Sequence, residues 1–305
     1  MNQSQTSISG AGYFYATMAT LIWSGNFIVA RGLIDTFPPV SLAYFRWLIA
    51  VIVLIPLAIR PMLRDWSIIK ENLAYLCIAS VLGVSMFNTL IYIASHTTTA
   101  INMSLIAITF PVFIIILSRF IYNELLSANK AAGVFLVIVG VVTLITKGDV
   151  SVLRNIDFSS GDLWMLLAAI TFAVYSLMLK KKPARLGARS FQLSTFIIGL
   201  LFLTPFYIWE ATGSDFSVTN ISSVTFYSIL YLGIFASVAS YFLWGKAVEK
   251  IGPSKSGMIY YSLPIFSGTL AYIFLGEAIE TIHLISTFLI ATGIFTAIYE
   301  KKKIM

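Results

Sequence analysis

Apolar runs of about 20 residues, each long enough to cross a hydrocarbon core of about 30 Å, recur along the whole chain and limit what it can fold into. Read between charged or turn-rich breaks, they number ten, near residues 12–33, 39–59, 73–95, 99–121, 128–146, 162–179, 190–209, 222–248, 254–275 and 282–299. Inside hydrocarbon every backbone polar group needs an internal partner, which leaves helices or a closed barrel. A barrel would show segments of about 10 residues with alternating polarity, whereas residues 134–145 are continuously apolar. The expected fold is an all-α membrane protein of ten transmembrane helices. With 58% hydrophobic and 11% charged residues and a mean hydropathy of +0.89, the chain has too few polar residues to cover a water-soluble globule.

The net charge of +7 says less than its distribution. If the N-terminus is cytoplasmic, only Arg31, Arg46, Lys147 and Arg154 of the 20 basic residues fall on the opposite side, which is the asymmetry that fixes orientation. Both termini are therefore expected in the cytoplasm, with the chain in a bacterial inner membrane. The basic loop Lys180 to Arg189 reads as a topological anchor that attracts anionic lipid, which leaves a nucleic-acid partner nothing to explain. Residues 1–10 are polar and uncharged, so no cleavable signal is expected. Cys77 is the only cysteine and reads as core filler.

The two halves of the sequence resemble each other. Phe110-Pro111-Val112-Phe113 corresponds to Leu263-Pro264-Ile265-Phe266 at an offset of 153 residues, which also carries Glu124 to Glu277 and Gly140 to Gly293; Leu82-Gly83 corresponds to Leu232-Gly233 at an offset of 150. One duplicated five-helix unit explains these matches. Because five is odd, the second copy enters the membrane from the other side, giving the inverted repeat common among alternating-access carriers. The expected organisation is an N-terminal segment 1–11, a first repeat 12–147, a periplasmic linker 148–160, a second repeat 161–300 and a basic tail 301–305.

These features resemble the EamA-type, ten-helix branch of the drug/metabolite transporter superfamily. The resemblance is carried by Pro111, Glu124, Gly133 and Gly140 in the first half and by Pro264, Gly276-Glu277 and Gly293 in the second. The segment Phe45-Arg46-Trp47-Leu48-Ile49-Ala50 resembles the family's Arg-containing second helix, and Asn123 departs from the family by standing where Gly commonly precedes the acid. The resemblance implies export of amino acids or other small metabolites, without ATP and without a bound cofactor.

Uncharged polar and aromatic residues inside the spans are the expected substrate-binding set, because a carrier must orient its solute with groups that tolerate the membrane interior. Trp23 and Asn26 share a face of the first helix. Asn88, Tyr92 and Ser95 form a stripe on the third and Asn102 opens one on the fourth. Trp164, Thr171 and Tyr175 share a face of the sixth, Ser237, Tyr241 and Trp244 one of the eighth, and Gly257 and Tyr261 one of the ninth. Together they are expected to line a cavity. Arg46 is expected to snorkel to the interface or to meet an anionic group. Glu124 and Glu277 are expected to accept hydrogen bonds from the amides of the helix that follows each, with proton coupling as the alternative. His96 and His283 lie at predicted interfaces without a second ligand, so no metal is expected.

Such a cavity suits a neutral or zwitterionic solute, favouring one with an aromatic part; a small organic cation held by aromatic faces is an alternative. A lipid flippase or scramblase is the other. An enzyme is not expected, since no His-Glu-x-x-His or Gly-x-Ser-x-Gly pattern occurs, and the absence of a Gly-x-x-x-x-Gly-Lys-Ser/Thr loop argues against ATP as the energy source. The expected partners are a small-molecule substrate, membrane lipids and, for coupling, protons, with the chain acting as monomer or homodimer.

Overall fold

The computed structural model describes residues 3–122, 128–149, 159–213 and 222–298. Glu124, Asn123, most of the expected linker and the basic tail lie outside them. The described residues form helices joined by short turns and loops, without strands. The chain runs through α1 (Gln3–Gly32), α2 (Pro39–Arg64), α3 (Trp66–Glu71), α4 (Leu73–Ser80), a π-helical turn π1 (Val81–Met86), α5 (Phe87–Ser95), α6 (Ala100–Ala107), α7 (Phe110–Tyr122) and α8 (Ala128–Ile145). It continues through α9 (Ser160–Lys180), α10 (Ala188–Thr212), α11 (Ser223–Gly233), a second π-helical turn π2 (Ile234–Ala239), α12 (Ser240–Tyr260), α13 (Leu263–Leu275) and α14 (Thr281–Ile298).

Six of the helical stretches are long and apolar enough to cross a membrane: Pro39–Arg64, Leu73–Ser95, Ala100–Ile121, Ser160–Lys180, Ala188–Thr212 and Ser223–Pro253. Shorter apolar helices cover Ala131–Leu144, Leu263–Leu275 and Thr281–Gly293. The first helix starts at Gln3, well before the expected boundary at residue 12. The expected fourth span is broken between α6 and α7. The ninth is broken after Tyr260, and Gly252, at φ 80°, divides α12 between the expected eighth and ninth spans.

Acids at the end of one helix close the start of another. The first amides of a helix have no intrahelical acceptor and carry a partial positive charge. The residues preceding α2 and α10, Pro38 and Gly187, supply no side-chain cap. Glu210, near the end of α10, accepts from the N–H groups of Val40 (3.1 Å) and Ser41 (2.6 Å) and from the Ser41 hydroxyl (2.8 Å) at the start of α2. Asp65, just beyond the end of α2, accepts from the Ser190 hydroxyl (2.6 Å) in the first turn of α10 and from the Gly187 N–H. The two antiparallel helices thus cap each other.

Glycines set the closest approaches. A Cβ on Gly140 in α8 would lie 2.7 Å from Ile290 of α14, and one on Gly293 would lie 2.7 Å from the Gly133 carbonyl. In π1, a Cβ on Gly83 would lie 2.4 Å from the Tyr175 ring, and one on Gly233, directly before π2, would lie 2.4 Å from Ile49. The extra residue in a π turn frees backbone carbonyls from the helix ladder. Here they accept across helices: Gly83 O from the Tyr241 hydroxyl, and Ala236 O from both Arg46 Nη2 (2.7 Å) and Trp23 Nε1 (2.9 Å).

Candidate functional site

Most of the sequence-derived set converges on one buried centre, but that centre is filled. The Trp23 ring packs on Phe172 (5.5 Å between centroids), Tyr241 (5.7 Å), Trp244 (5.5 Å) and Tyr260 (6.0 Å). Phe110 closes the cluster against Phe172 (5.2 Å) and Tyr260 (4.8 Å). Tyr175 is buried beside it, its ring 6.0 Å from Tyr241. The expected open cavity is therefore a closed aromatic seal. Phe110, Phe172 and Tyr260 were missed because an apolar ring in an apolar helix carries no signal of depth; Phe110 precedes the Pro111 landmark.

Six of the polar members, Asn26, Arg46, Asn88, Tyr92, Ser237 and Tyr241, bond to one another, while the buried Trp244 indole N–H has no partner among the described residues. Arg46, entirely buried, donates from Nε to Ser237 (2.6 Å), from Nη1 to Asn26 (2.8 Å) and Tyr92 (2.8 Å), and from Nη2 to Ala236 O. Tyr92 in turn donates to Asn26 (3.0 Å), and Asn88 donates to the Tyr241 hydroxyl (3.1 Å). The snorkelling expectation for Arg46 is thus corrected: acceptors from α1, α5 and the π2 region hold it inside. It stands 5.1 Å from the Trp47 ring and makes no ion pair among the described residues.

Three members of the set lie elsewhere. Trp164 is 40% exposed; it sits near the start of α9, where a helical period gives the right face but the wrong depth. Asn102 is half-buried near the start of α6. Tyr261 is half-buried at the break between α12 and α13, while its neighbour Tyr260 joins the seal.

Glu277 also differs from its expected role. Gly276 ends α13 in the left-handed region (φ 67°), which turns Glu277 toward the start of α6 instead of the following helix. Its oxygens accept from Ala100 N–H (3.0 Å) and Ile101 N–H (3.1 Å), while Thr99 accepts from Asn102 N–H (3.1 Å). Arg31 Nε lies 4.0 Å from the same carboxylate and Arg31 Nη1 donates to Ser95 O (2.7 Å).

Two cavities flank the seal at opposite ends of α9, with no lining residue in common. One, of about 390 Å³, lies among α9, α10 and α12; Tyr175 and Tyr241 face it, and Lys180, Lys182 and Lys246 line it with Glu249. The other, of about 690 Å³, is lined by Asp162 near the start of α9, with Asp149, Glu277 and Glu280 against Lys147. Their charge is opposite in sign. Asp162, buried and accepting from the Thr98 hydroxyl (2.5 Å), was not singled out in the sequence because it opens a span. His283 lines the same cavity and its Nδ1 accepts from Glu280 N–H (2.9 Å), while His96 is exposed at the end of α5. Among the described residues no three His, Cys, Asp or Glu side chains come together as a metal set.

Comparison with known proteins adds an independent line. The EamA-like transporter family matches residues 10–146 and again 159–299. Similar curated proteins include the uncharacterized transporter YetK of Bacillus subtilis, 26% identical over 95% of this chain and 88% of the relative. Another is a "Probable amino-acid metabolite efflux pump" of Salmonella typhimurium, 25% identical over 94% of each chain. A solved crystal structure superposes with a TM-score of 0.66 at 18% identity, covering 96% of both chains, a likeness of fold alone.

Proposed function

The chain belongs to the EamA-like transporter family, within the drug/metabolite transporter superfamily, and on that premise we propose that it is a secondary carrier exporting a small neutral or zwitterionic metabolite across the bacterial inner membrane. In this reading ten spans form two inverted halves with both termini in the cytoplasm. The reciprocal caps of α2 and α10, the paired π turns at Leu82-Gly83 and just after Leu232-Gly233, and the Gly140 and Gly293 contacts support the inversion. The caps and the glycine contacts each join equivalent elements of the two halves.

The observation that carries the reading is the pair of cavities at opposite ends of α9 with an aromatic seal between them. Alternating access needs two vestibules that never open together, and a centre that parts to admit a solute. The efflux pump among the relatives supports outward movement of an amino-acid-like solute. The test is counterflow of radiolabelled amino acids in proteoliposomes: accumulation against unlabelled solute inside is expected, and rates equal to empty liposomes for every member of the panel would sink the proposal.

One feature supports a flippase as the second reading. An apolar groove of about 630 Å³, lined by Gly25, Ile28, Tyr227, Tyr231 and Phe274, opens between α1, α11 and α13. Dithionite quenching of fluorescent phospholipid in the same proteoliposomes separates the two: loss of the protected inner-leaflet signal favours the flippase, and its retention favours the carrier.

A further inference from the structure

A residue lining the smaller cavity carries a buried polar group that nothing among the described residues satisfies. Gln192 lies near the start of α10, is 5% exposed and lines the cavity, yet its side-chain Nε2 has no hydrogen-bond partner. A buried donor left unmade destabilises the fold, a cost that a bound acceptor would remove. Charge at the same place has the matching sign, since Lys180, Lys182 and Lys246 outnumber the one carboxylate, Glu249. Lys182, half-buried, holds its ammonium 6.0 Å from the Phe191 ring, and Lys246 holds its own 5.4 Å from the Tyr15 ring. Both line the cavity, and the other wall is apolar, formed by Leu179 and Phe242.

An unpartnered neutral donor, a rim on which lysines outnumber the one carboxylate, and an apolar wall fit a carboxylate attached to an apolar or aromatic side chain. A volume of about 390 Å³ falls at the small end of ligand sites. We propose that this cavity is the loading site for the carboxylate end of the transported solute: Gln192 Nε2 donates to one carboxylate oxygen, Lys182 and Lys246 hold the charge, and Leu179 and Phe242 take the side chain. Tyr241 forms the boundary with the seal, because its hydroxyl is tied to Asn88 and to the freed carbonyl of Gly83. The inference rests on the carrier reading and narrows its substrate class to amino acids and similar carboxylates.

The test compares amino acids with their amides, which keep the side chain and ammonium but lose the carboxylate. Melting of the purified full chain is followed against phenylalanine, leucine and threonine, their amides, and inorganic phosphate, since a ligand of the native state raises its stability. At least one amino acid should stabilise the protein while its amide and phosphate do not. Gln192→Glu should weaken that binding about tenfold or more, as loss of a hydrogen bond to a charged group predicts. If Gln192→Glu fails to fold, the double variant Lys182→Gln, Lys246→Gln, altered only at the rim, should weaken binding severalfold with an unchanged ligand-free melting temperature. Equal stabilisation by amides or phosphate, no stabilisation by any member, or undiminished binding in the lysine variant would overturn the proposal. Binding without movement in proteoliposomes would remove the carrier reading and leave the site standing, whereas movement without preference for the carboxylate would remove the site alone.

Discussion

Glu277 caps a helix that begins 177 residues before it: one carboxylate oxygen accepts the N–H of Ala100 at 3.0 Å and the other that of Ile101 at 3.1 Å. The acid is spent on backbone donors, with Arg31 at 4.0 Å. Glu277→Ala should cost about 1 kcal/mol, the usual worth of a cap, and Glu277→Gln less, because the amide oxygen still accepts. Both should leave the pH dependence of transport as in the wild type. A changed pH profile in Glu277→Gln, measured in proteoliposomes, would restore proton coupling to this residue.

Arg46 tests whether a buried cation can serve as a brace. Four of its N–H groups reach acceptors on three other segments. A lysine presents three donors from one point and cannot span them. Arg46→Lys should therefore lower stability by about 2 kcal/mol, the cost of a buried polar group losing its partner, and abolish transport. Retained transport with a lowered melting temperature would confine Arg46 to structure.

Gly83 and Gly233 test the close approaches at the π turns. An added methyl group would sit 2.4 Å from Tyr175 or Ile49 respectively, which neither ring nor branched chain can yield without moving its helix. Gly83→Ala and Gly233→Ala should each cost about 1–3 kcal/mol by overpacking, whereas Gly268→Ala, with no atom within 4 Å of its would-be Cβ, should be nearly neutral. Similar melting temperatures for all three would show that the helices relax.

Asp65 supplies a pH prediction with a definite sign. The Ser190 hydroxyl, opposed by desolvation and aided by Arg64 and the Gly187 N–H, holds its carboxyl below the ordinary value of 3.8. A depressed carboxyl contributes stability that is present above the unfolded value and lost as pH falls through the folded one. Melting from pH 7 to 5 should therefore be unaffected by this group, and the wild type should lose more stability than Asp65→Asn only below about pH 4. Parallel curves for the two proteins down to pH 3 would remove the cap's contribution.

The apolar runs were legible because membrane spans announce themselves by length, and the spacings of Asn88 with Tyr92 and of Trp23 with Asn26 gave the right faces. Depth was not legible. Periodicity puts Trp164 in line with Tyr175, yet only Tyr175 is deep enough to be buried. Nor does sequence show what a polar group will meet. Arg46 looked able to reach the interface because its acceptors lie on helices distant in the chain, and Glu277 looked set to cap its own successor because nothing nearby reveals α6. Gln192 was overlooked since an amide beside a basic loop reads as ordinary, and only the unmet Nε2 distinguishes it.

The mutual capping of α2 and α10 has a mechanical consequence. Sliding one along the other by even a single residue would pull Glu210 off Val40 and Ser41 at one end and Asp65 off Ser190 at the other, at the same moment. Under the proposed alternating access the pair would act as a stator, leaving the rocking that opens either mouth to the helices around it. Spin labels at the two ends of this pair should report one unchanging separation in every state of the cycle.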